Sequence, residues 1–380
     1  MTDEELHGHL IDRQGSRRDF NTPVLVVELD ALERNIARMA AFVASHGQKL
    51  RPHAKTHKSP EIARRQVAAG AIGVCCAKLG EAEVLADGGI LAGLHITSPV
   101  VSAPAIARLV ALNQRVDGLM CVVDNIDNIG VLGRAVAGGK PLAVIIDIDP
   151  GIRRTGVCSP AAAVALLEAI RREPGLRYAG VQFYCGTQQH IAGFADRVAA
   201  MTTCADFARG VIAALTDAGG PPDIVTGGGT GTHRIDVELN LFTELQAGSY
   251  VFMDSQYLAC DLTGDDGGPP FETALMIDTR VVSNNTPGMV TVDGGLKAFS
   301  TDAEPPQVIK GAPPRSKYSF MGDEHGALII PEGRAPDLAE VVTFAAPHCD
   351  PTVNLYDSYH VVQANTLRAL WPVAARGRSR

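Results

Sequence analysis

The sequence has no CxxC pair among its eight cysteines, no long run of basic residues, no internal repeat and no low-complexity block. The missing CxxC spacing removes zinc ribbons and dithiol redox motifs from consideration. Only Cys75 and Cys76 are close in sequence, inside the apolar run Gly73-Val74-Cys75-Cys76-Ala77. Core-filling thiols in a reducing compartment, the cytoplasm, are the expected state. Formal net charge is −8 without a basic stripe, so nucleic acid and anionic membrane surfaces are poor partners. The segment Met1-Thr2-Asp3-Glu4-Glu5 is acidic and has no apolar centre, so no secretory signal is expected there. The longest apolar runs are broken by Gly, Asp or Arg, and no membrane-spanning stretch is expected.

What is present is apolar material in alternating short and long runs. At 380 residues and 46% apolar, the chain can bury a large core, in one large domain plus a smaller one. Val24-Leu25-Val26-Val27-Glu28 reads as a buried strand, and Asp30 is expected to cap a helix carrying Leu32, Ile36, Met39 and Phe42. Ser59-Pro60-Glu61 opens a second helix with proline in its first turn. Strand-like runs recur at 71–76, 94–97, 118–123, 142–147, 178–184 and 224–226. With the segment around Lys55, eight strand-like segments alternate with helical ones from Thr22 to about Thr226. Strands apolar on both faces, covered by helices, predict an α/β fold, and eight units predict a closed (β/α)8 TIM-like barrel over 22–248.

After about residue 245 helical periodicity fades and Gly, Pro and β-branched residues rise. Thr273–Ser283 and Met289–Asp293 read as strands joined by the turn Asn284-Asn285-Thr286-Pro287-Gly288, with further strands at 341–344 and 360–362. A mostly antiparallel β domain over 249–370, joined by residues 1–21, is expected, and the tail from Ala374 to Arg380 is expected to fray.

Four stretches carry chemistry. In Arg51-Pro52-His53-Ala54-Lys55-Thr56-His57-Lys58 the cationic residues alternate, so on a strand they share one face. A lysine crowded by cations and partly desolvated has a lowered pKa and a nucleophilic amine, as a Schiff base with an aldehyde cofactor requires. Lys58 is out of phase and ranks below Lys55; the plain alternative is a polar strand end facing solvent. Thr226-Gly227-Gly228-Gly229-Thr230-Gly231-Thr232 follows the last apolar strand. Its amides and hydroxyls suit a phosphate, and it is neither a Walker loop nor a GxGxxG motif; otherwise it is a flexible turn. His348-Cys349-Asp350 offers an imidazole and a carboxylate on one face if the segment is extended. That pair suits a divalent ion such as Mn²⁺ or Zn²⁺ with open positions for a substrate oxygen; the alternative is a hydrogen-bonded loop before Pro351. Arg154 can hold an anion or make a surface ion pair, and His190 can act as a base or simply be solvated. Gly322-Asp323-Glu324-His325-Gly326 fits either support of a metal site or a tight turn.

These motifs, with Glu244–Asp254 and Pro347–Asn354 in the same order, resemble the D-threonine aldolase family. That family belongs to the alanine-racemase-like pyridoxal phosphate proteins, together with eukaryotic-type D-serine dehydratases. The resemblance runs from about Thr22 to Val362 and implies a cofactor-bearing barrel, a C-terminal β domain and a homodimer. It implies that Lys55 carries pyridoxal 5'-phosphate and that Thr226, Gly228, Gly229, Thr230, Ser249 and Tyr250 surround its phosphate. Tyr184 would lie beside the ring, Arg154 near the phenolic oxygen, and His190 would take the proton from the β-hydroxyl. His348 and Asp350 would hold the ion, Mn²⁺ first, with Mg²⁺, Co²⁺ or Zn²⁺ as others. The implied reaction is cleavage of D-threonine and other β-hydroxy-D-amino acids to glycine and an aldehyde. Dehydratases carry cysteine two positions after the histidine, where this chain has Asp350. A carboxylate is harder than a thiolate and favours manganese-like ions, so the aldolase is preferred over a D-serine or 3-hydroxyaspartate dehydratase. 3-Hydroxy-D-aspartate aldolases share the pattern and remain alternatives.

Overall fold

Eight parallel strands form one sheet, and nine mostly antiparallel strands form the other, in a computed structural model that describes residues 1–265 and 268–380. In chain order the strands are β1 Val24–Glu28, β2 Lys49–Leu50, β3 Val74–Cys76, β4 Leu94–Ile96, β5 Met120–Val123, β6 Leu142–Ile148, β7 Leu176–Phe183, β8 Ile224–Gly227, β9 Glu244–Leu245, β10 Leu275–Ser283, β11 Met289–Val292, β12 Gln307–Lys310, β13 Lys317–Phe320, β14 Gly326–Ile329, β15 Val341–Ala345, β16 Ser358–Gln363 and β17 Thr366–Pro372. The α-helices are α1 Asp3–His7, α2 Leu29–Ser45, α3 Pro60–Ala68, α4 Leu79–Asp87, α5 Ala103–Arg115, α6 Ile126–Val136, α7 Pro160–Arg171, α8 Phe194–Asp217, α9 His233–Glu238, α10 Ser255–Leu258 and α11 Cys349–Val353.

The parallel sheet runs β2-β9-β8-β7-β6-β5-β4-β3, and a parallel bridge from His53 to Cys75 joins its two ends. This is the expected barrel, with one strand exchanged. Val24–Glu28 was expected to open it. Instead β1 lies in the second sheet, antiparallel to β10 and parallel to β16. A strand flanked on both edges and covered on both faces is apolar throughout, so its residue pattern is the same in either sheet. The two-residue strand β9 takes the place of β1 in the barrel, and the equally short β2 stands just ahead of the strand expected around Lys55; both are too short to leave a hydrophobic signature. Asp30 does not cap α2; the Glu28 carboxylate accepts the Ala31 N–H at 2.8 Å.

The barrel interior is polar on one level. Arg51 donates two hydrogen bonds to Glu244 at 2.8 and 3.0 Å, with both residues buried. Burial pushes the Glu244 carboxyl up, but these bonds outweigh it and hold the pKa below its ordinary value. Gln182 accepts from Gln246 at 3.2 Å and donates to Asp147 at 2.9 Å. The apolar core lies outside this layer, between strands and helices. α8 is long and apolar enough to cross a membrane by length and composition alone, contrary to the reading of the sequence. Its Met201, Cys204, Ala208, Val211 and Leu215 are buried, and it packs beside α7 on the barrel's outside.

Residues 1–21 lie on the second sheet. Leu10 and Phe20 pack with Val24, Val26, Met276 and Leu367. Arg17 grips Asp278 through two bonds of 2.7 and 2.8 Å. The Asn21 N–H can only donate, so His7 Nε2 accepts it at 2.8 Å and His7 Nδ1 carries the hydrogen facing His360 Nε2 at 2.8 Å. Asp3, His7 and His360 are close enough to suggest a metal cluster, but a protonated Nδ1 offers no lone pair to an ion. The tail is held rather than frayed: Ala375 N–H donates to Lys58 O, and Gly80 N–H at the start of α4 donates to Arg380 O at 3.1 Å.

Burial pulls His57, His95, His233 and His360 each down to about 4. In the unfolded chain each returns to about 6.5. Between those values the unfolded chain binds protons that the folded one refuses, so stability is lost on acidification. The melting temperature should therefore fall steadily from about pH 6.5 to about pH 4.5; a flat profile across that window would contradict neutral burial of these rings.

Candidate active site

Lys55 sits on a tight turn just past the barrel bridge at His53, at the C-terminal mouth. The turn is closed by His57 and Lys58 N–H groups donating to Ala54 O. The expected alternation on a strand face ends here, and the four cationic side chains part ways. Arg51 turns inward to Glu244, His57 is buried against Gln66 at 3.2 Å, and His53 meets Thr97 Oγ1 at 3.1 Å. The Lys55 N–H donates to His53 Nδ1 at 3.3 Å, so Nε2 carries the hydrogen given to Thr97. Lys58 is sealed against Glu81 at 2.6 Å in the interior. Lys55 alone of the two lysines lines a cavity.

That cavity has a volume of about 140 Å³ and brings Lys55, Tyr184, His190, Gly229, Thr230, Ser249, His348 and Asp350 together. Lys55 Nζ lies 3.1 Å from Asp350 Oδ2 and 6.0 Å from the Tyr184 ring centre. Arg154 Cζ lies 5.9 Å from the same ring. The lysine pKa was expected to be depressed by neighbouring cations. The structure reverses this: the Asp350 carboxylate outweighs burial and raises it. Burial alone would raise Asp350, but the Lys55 ammonium and the His348 ring hold its pKa below the ordinary range.

His348 and Asp350 do not share a strand face. His348 is the cap residue of α11 and Asp350 lies in its first turn, so the helix start, not an extended segment, brings both to the cavity, Asp350 against Lys55. Cys349 between them is buried, with its N–H on Asp254 Oδ2 at 2.9 Å. His348 Nδ1 meets Asp302 Oδ2 at 2.7 Å, which leaves Nε2 as the free nitrogen. Asp302 and Tyr257 were not singled out in the sequence; His53 was read only as one of the alternating cations and Gln246 only as part of the Glu244–Asp254 motif. Asp302 stands alone between two loops, and only its fold neighbour gives it meaning.

The glycine loop follows β8. Gly228 has φ +71°, and a Cβ there would meet the Asp236 carboxylate at 2.4 Å, so only glycine fits. Thr230 Oγ1 accepts the Tyr250 N–H at 2.9 Å, leaving its own proton for another oxygen. Four expected residues do not line this cavity: Gly228, Arg154, which lines the wider cavity beside it, Thr226 and Tyr250. Thr226 faces the interior, accepting from Gln246 at 2.9 Å, and the Tyr250 hydroxyl accepts from Gln66 at 3.1 Å. Gly322–Gly326 belongs to the β13–β14 hairpin: it is the turn, away from this cavity.

Residues 27–256 match the family described as alanine racemase, N-terminal domain, and 274–362 match a putative serine dehydratase domain. A D-threonine aldolase from Arthrobacter sp is 38% identical over 362 residues, 95% of this chain and 94% of that protein. The chain belongs to the D-threonine aldolase family. Also similar is a 3-hydroxy-D-aspartate aldolase from Paracoccus denitrificans (strain Pd 1222), 37% identical over 95% of this chain and 93% of that one. The crystal structure of D-threonine aldolase from Filomicrobium marinum superposes with a TM-score of 0.90, at 38% identity, covering 95% of this chain and 97% of that chain. As a D-threonine aldolase family member the protein is a carbon–carbon lyase, and its alanine-racemase-like fold implies pyridoxal phosphate.

The residues present fit both groups that an aldolase of this family needs. A lysine amine stands at one end of the cavity and a hydroxyl with an uncommitted proton, Thr230, lies beside Gly229 and Ser249. One free imidazole nitrogen and one carboxylate, beside an ammonium already drawn to the carboxylate, are donors that would suit a divalent cation. Asp302 orients the imidazole as carboxylates commonly orient ligating histidines. Replacing Asp302 with Ala should weaken metal affinity roughly 10–100-fold, measured by titrating the metal-stripped protein; unchanged affinity would leave Asp302 without this role.

Proposed function

We propose that this protein cleaves D-threonine and other β-hydroxy-D-amino acids between Cα and Cβ, giving glycine and an aldehyde. The observation that carries the reading is the meeting of Lys55, His190, His348 and Asp350 in one cavity. When bound, pyridoxal phosphate supplies the sink for the electron pair left on Cα, and a divalent ion lowers the pKa of the β-hydroxyl. Lys55 tethers the cofactor through its amine, and Gly228, Gly229, Thr230 and Ser249 receive the phosphate. Tyr250 acts through its N–H by fixing the Thr230 hydroxyl, and Thr226 acts through Gln246. Tyr184 and Arg154, side by side at the cavity wall, would hold the ring and its phenolic oxygen.

His190 takes the proton from the β-hydroxyl. It stacks on Tyr257 with ring centres 4.6 Å apart. Burial, then the nearby His348 and Lys55, pulls its pKa down to about 4. Its imidazole is therefore neutral at physiological pH and has a lone pair to offer. His348 and Asp350 hold the ion, and the hard carboxylate favours manganese. The same reading has a homodimer with no nucleic-acid or membrane partner, and places it in the cytoplasm, a reducing compartment in which eight free cysteines are at home. The similar 3-hydroxy-D-aspartate aldolase and the dehydratase-type second domain name the other substrates to test.

Purified protein given pyridoxal phosphate, Mn²⁺ and D-threonine should release acetaldehyde and glycine; a 2-oxo acid instead would select elimination. Lys55→Ala should lose the visible absorbance of cofactor-loaded protein, and a retained band would remove Lys55 from its role. His190→Ala should turn over about 10²–10⁴-fold more slowly while keeping the cofactor bound; a rate near that of the parent would leave the base to another residue.

A further inference from the structure

The reaction cavity does not end at Lys55. A second, wider cavity of about 510 Å³ adjoins it, and His53, Lys55, Tyr184 and Gln246 line both. Its remaining wall comes from the loops after β3, β4 and β6, including Lys78, Ser98, Val101, Arg154 and Thr155. Among the described residues no carboxylate lines it. Neither Lys78 nor Arg154 has an ion-pair partner among the described residues. Two uncompensated cations around one open cavity make an anion the favoured occupant.

Arg154 already faces the Tyr184 ring, which leaves Lys78 as the surplus charge. Its backbone is held firmly. The Glu81 carboxylate accepts the Ala77 N–H at 2.7 Å and the Lys78 N–H at 3.3 Å, and its other oxygen is bound by the buried Lys58 at 2.6 Å. Lys78 thus stands at a fixed point on the barrel mouth with a long, unpaired side chain. A monocarboxylate amino acid brings one anionic group besides the cofactor, and a dicarboxylate brings two.

We propose that Lys78 is a specificity residue that binds the second carboxylate of a β-hydroxy-D-amino dicarboxylate such as 3-hydroxy-D-aspartate. This deepens, and rests on, the retro-aldol reading above. The bond made is an ammonium-to-carboxylate contact with no chemical step of its own. An ammonium presents a point charge, so its removal weakens substrate capture more than turnover.

The test compares the parent holoenzyme with Lys78→Gln and Lys78→Arg. With 3-hydroxy-D-aspartate, kcat/KM should fall roughly 10–100-fold in Lys78→Gln, chiefly through KM, and recover in part in Lys78→Arg. With D-threonine it should change by no more than about threefold. An equal fall on both substrates, or none on either, overturns the proposal. A calorimetric titration of the same proteins with malate and with lactate needs no turnover. Malate should bind the parent more tightly than lactate and lose that advantage in Lys78→Gln; equal binding of both acids by the parent also overturns it. Should neither amino acid be cleaved, the retro-aldol reading fails while the malate titration still judges Lys78.

Discussion

The contact between Lys55 and Asp350 is what the rest of the structure exists to make. The amine comes from the mouth of the barrel and the carboxylate from the domain that follows it, 3.1 Å apart. Neither charge is comfortable without the other in a partly desolvated cavity, since a buried charge without its partner is costly. The contact therefore fixes how α11 meets the barrel. Cys349 N–H on Asp254 and Ser300 against His348 fix α11 within its own domain, and the tail against α4 ties that part of the chain to the barrel. The reactive groups are thus assembled by docking of two sheets, and no single segment contains them.

This assembly explains what was legible in the sequence. Lys55, His348 and Asp350 stood out because their motifs contain unusual polar spacing, and the fold brings all three to one cavity. The barrel was legible from strands that are apolar on both faces, such as β5 and β6. Its membership was not: β1 has the residue pattern of a barrel strand and belongs to the other sheet, whereas β2 and β9 have two residues each and no pattern at all. The electrostatics of Lys55 were misread because alternation was assumed to continue through residue 57. The chain turns at Ala54, and the charge that matters lies almost three hundred positions away in sequence, on Asp350. Asp302 and Tyr257 were invisible for the same reason: each is ordinary until the fold gives it His348 or His190 as a neighbour.

The polar layer inside the barrel marks a compromise. A barrel centre filled with Val, Ile and Leu would be simpler to pack. This one places Arg51, Glu244, Gln182 and Gln246 there, each with a partner. Buried ion pairs contribute little net stability but are expensive to break. The layer lies directly beneath the mouth, and Gln182 and Gln246 reach from it into the wall of the wider cavity. Rigid polar support under a reactive surface holds side chains in place more firmly than a greasy core, which resists only volume change.

The position of β1 also orders events in time. Val24 pairs with Asp278 and Val26 with His360, so the strand waits for partners made long after it. During synthesis the barrel segments can pair with their neighbours as they emerge from the ribosome. The early strand cannot, and it leaves an apolar edge open on the nascent chain until β10 and β16 have been made. Such long-range closure makes folding slow relative to chains of similar size with local contacts. Chaperone demand and yield on overexpression should then track how quickly the stretch from β10 to β16 is completed, rather than the quality of the barrel itself.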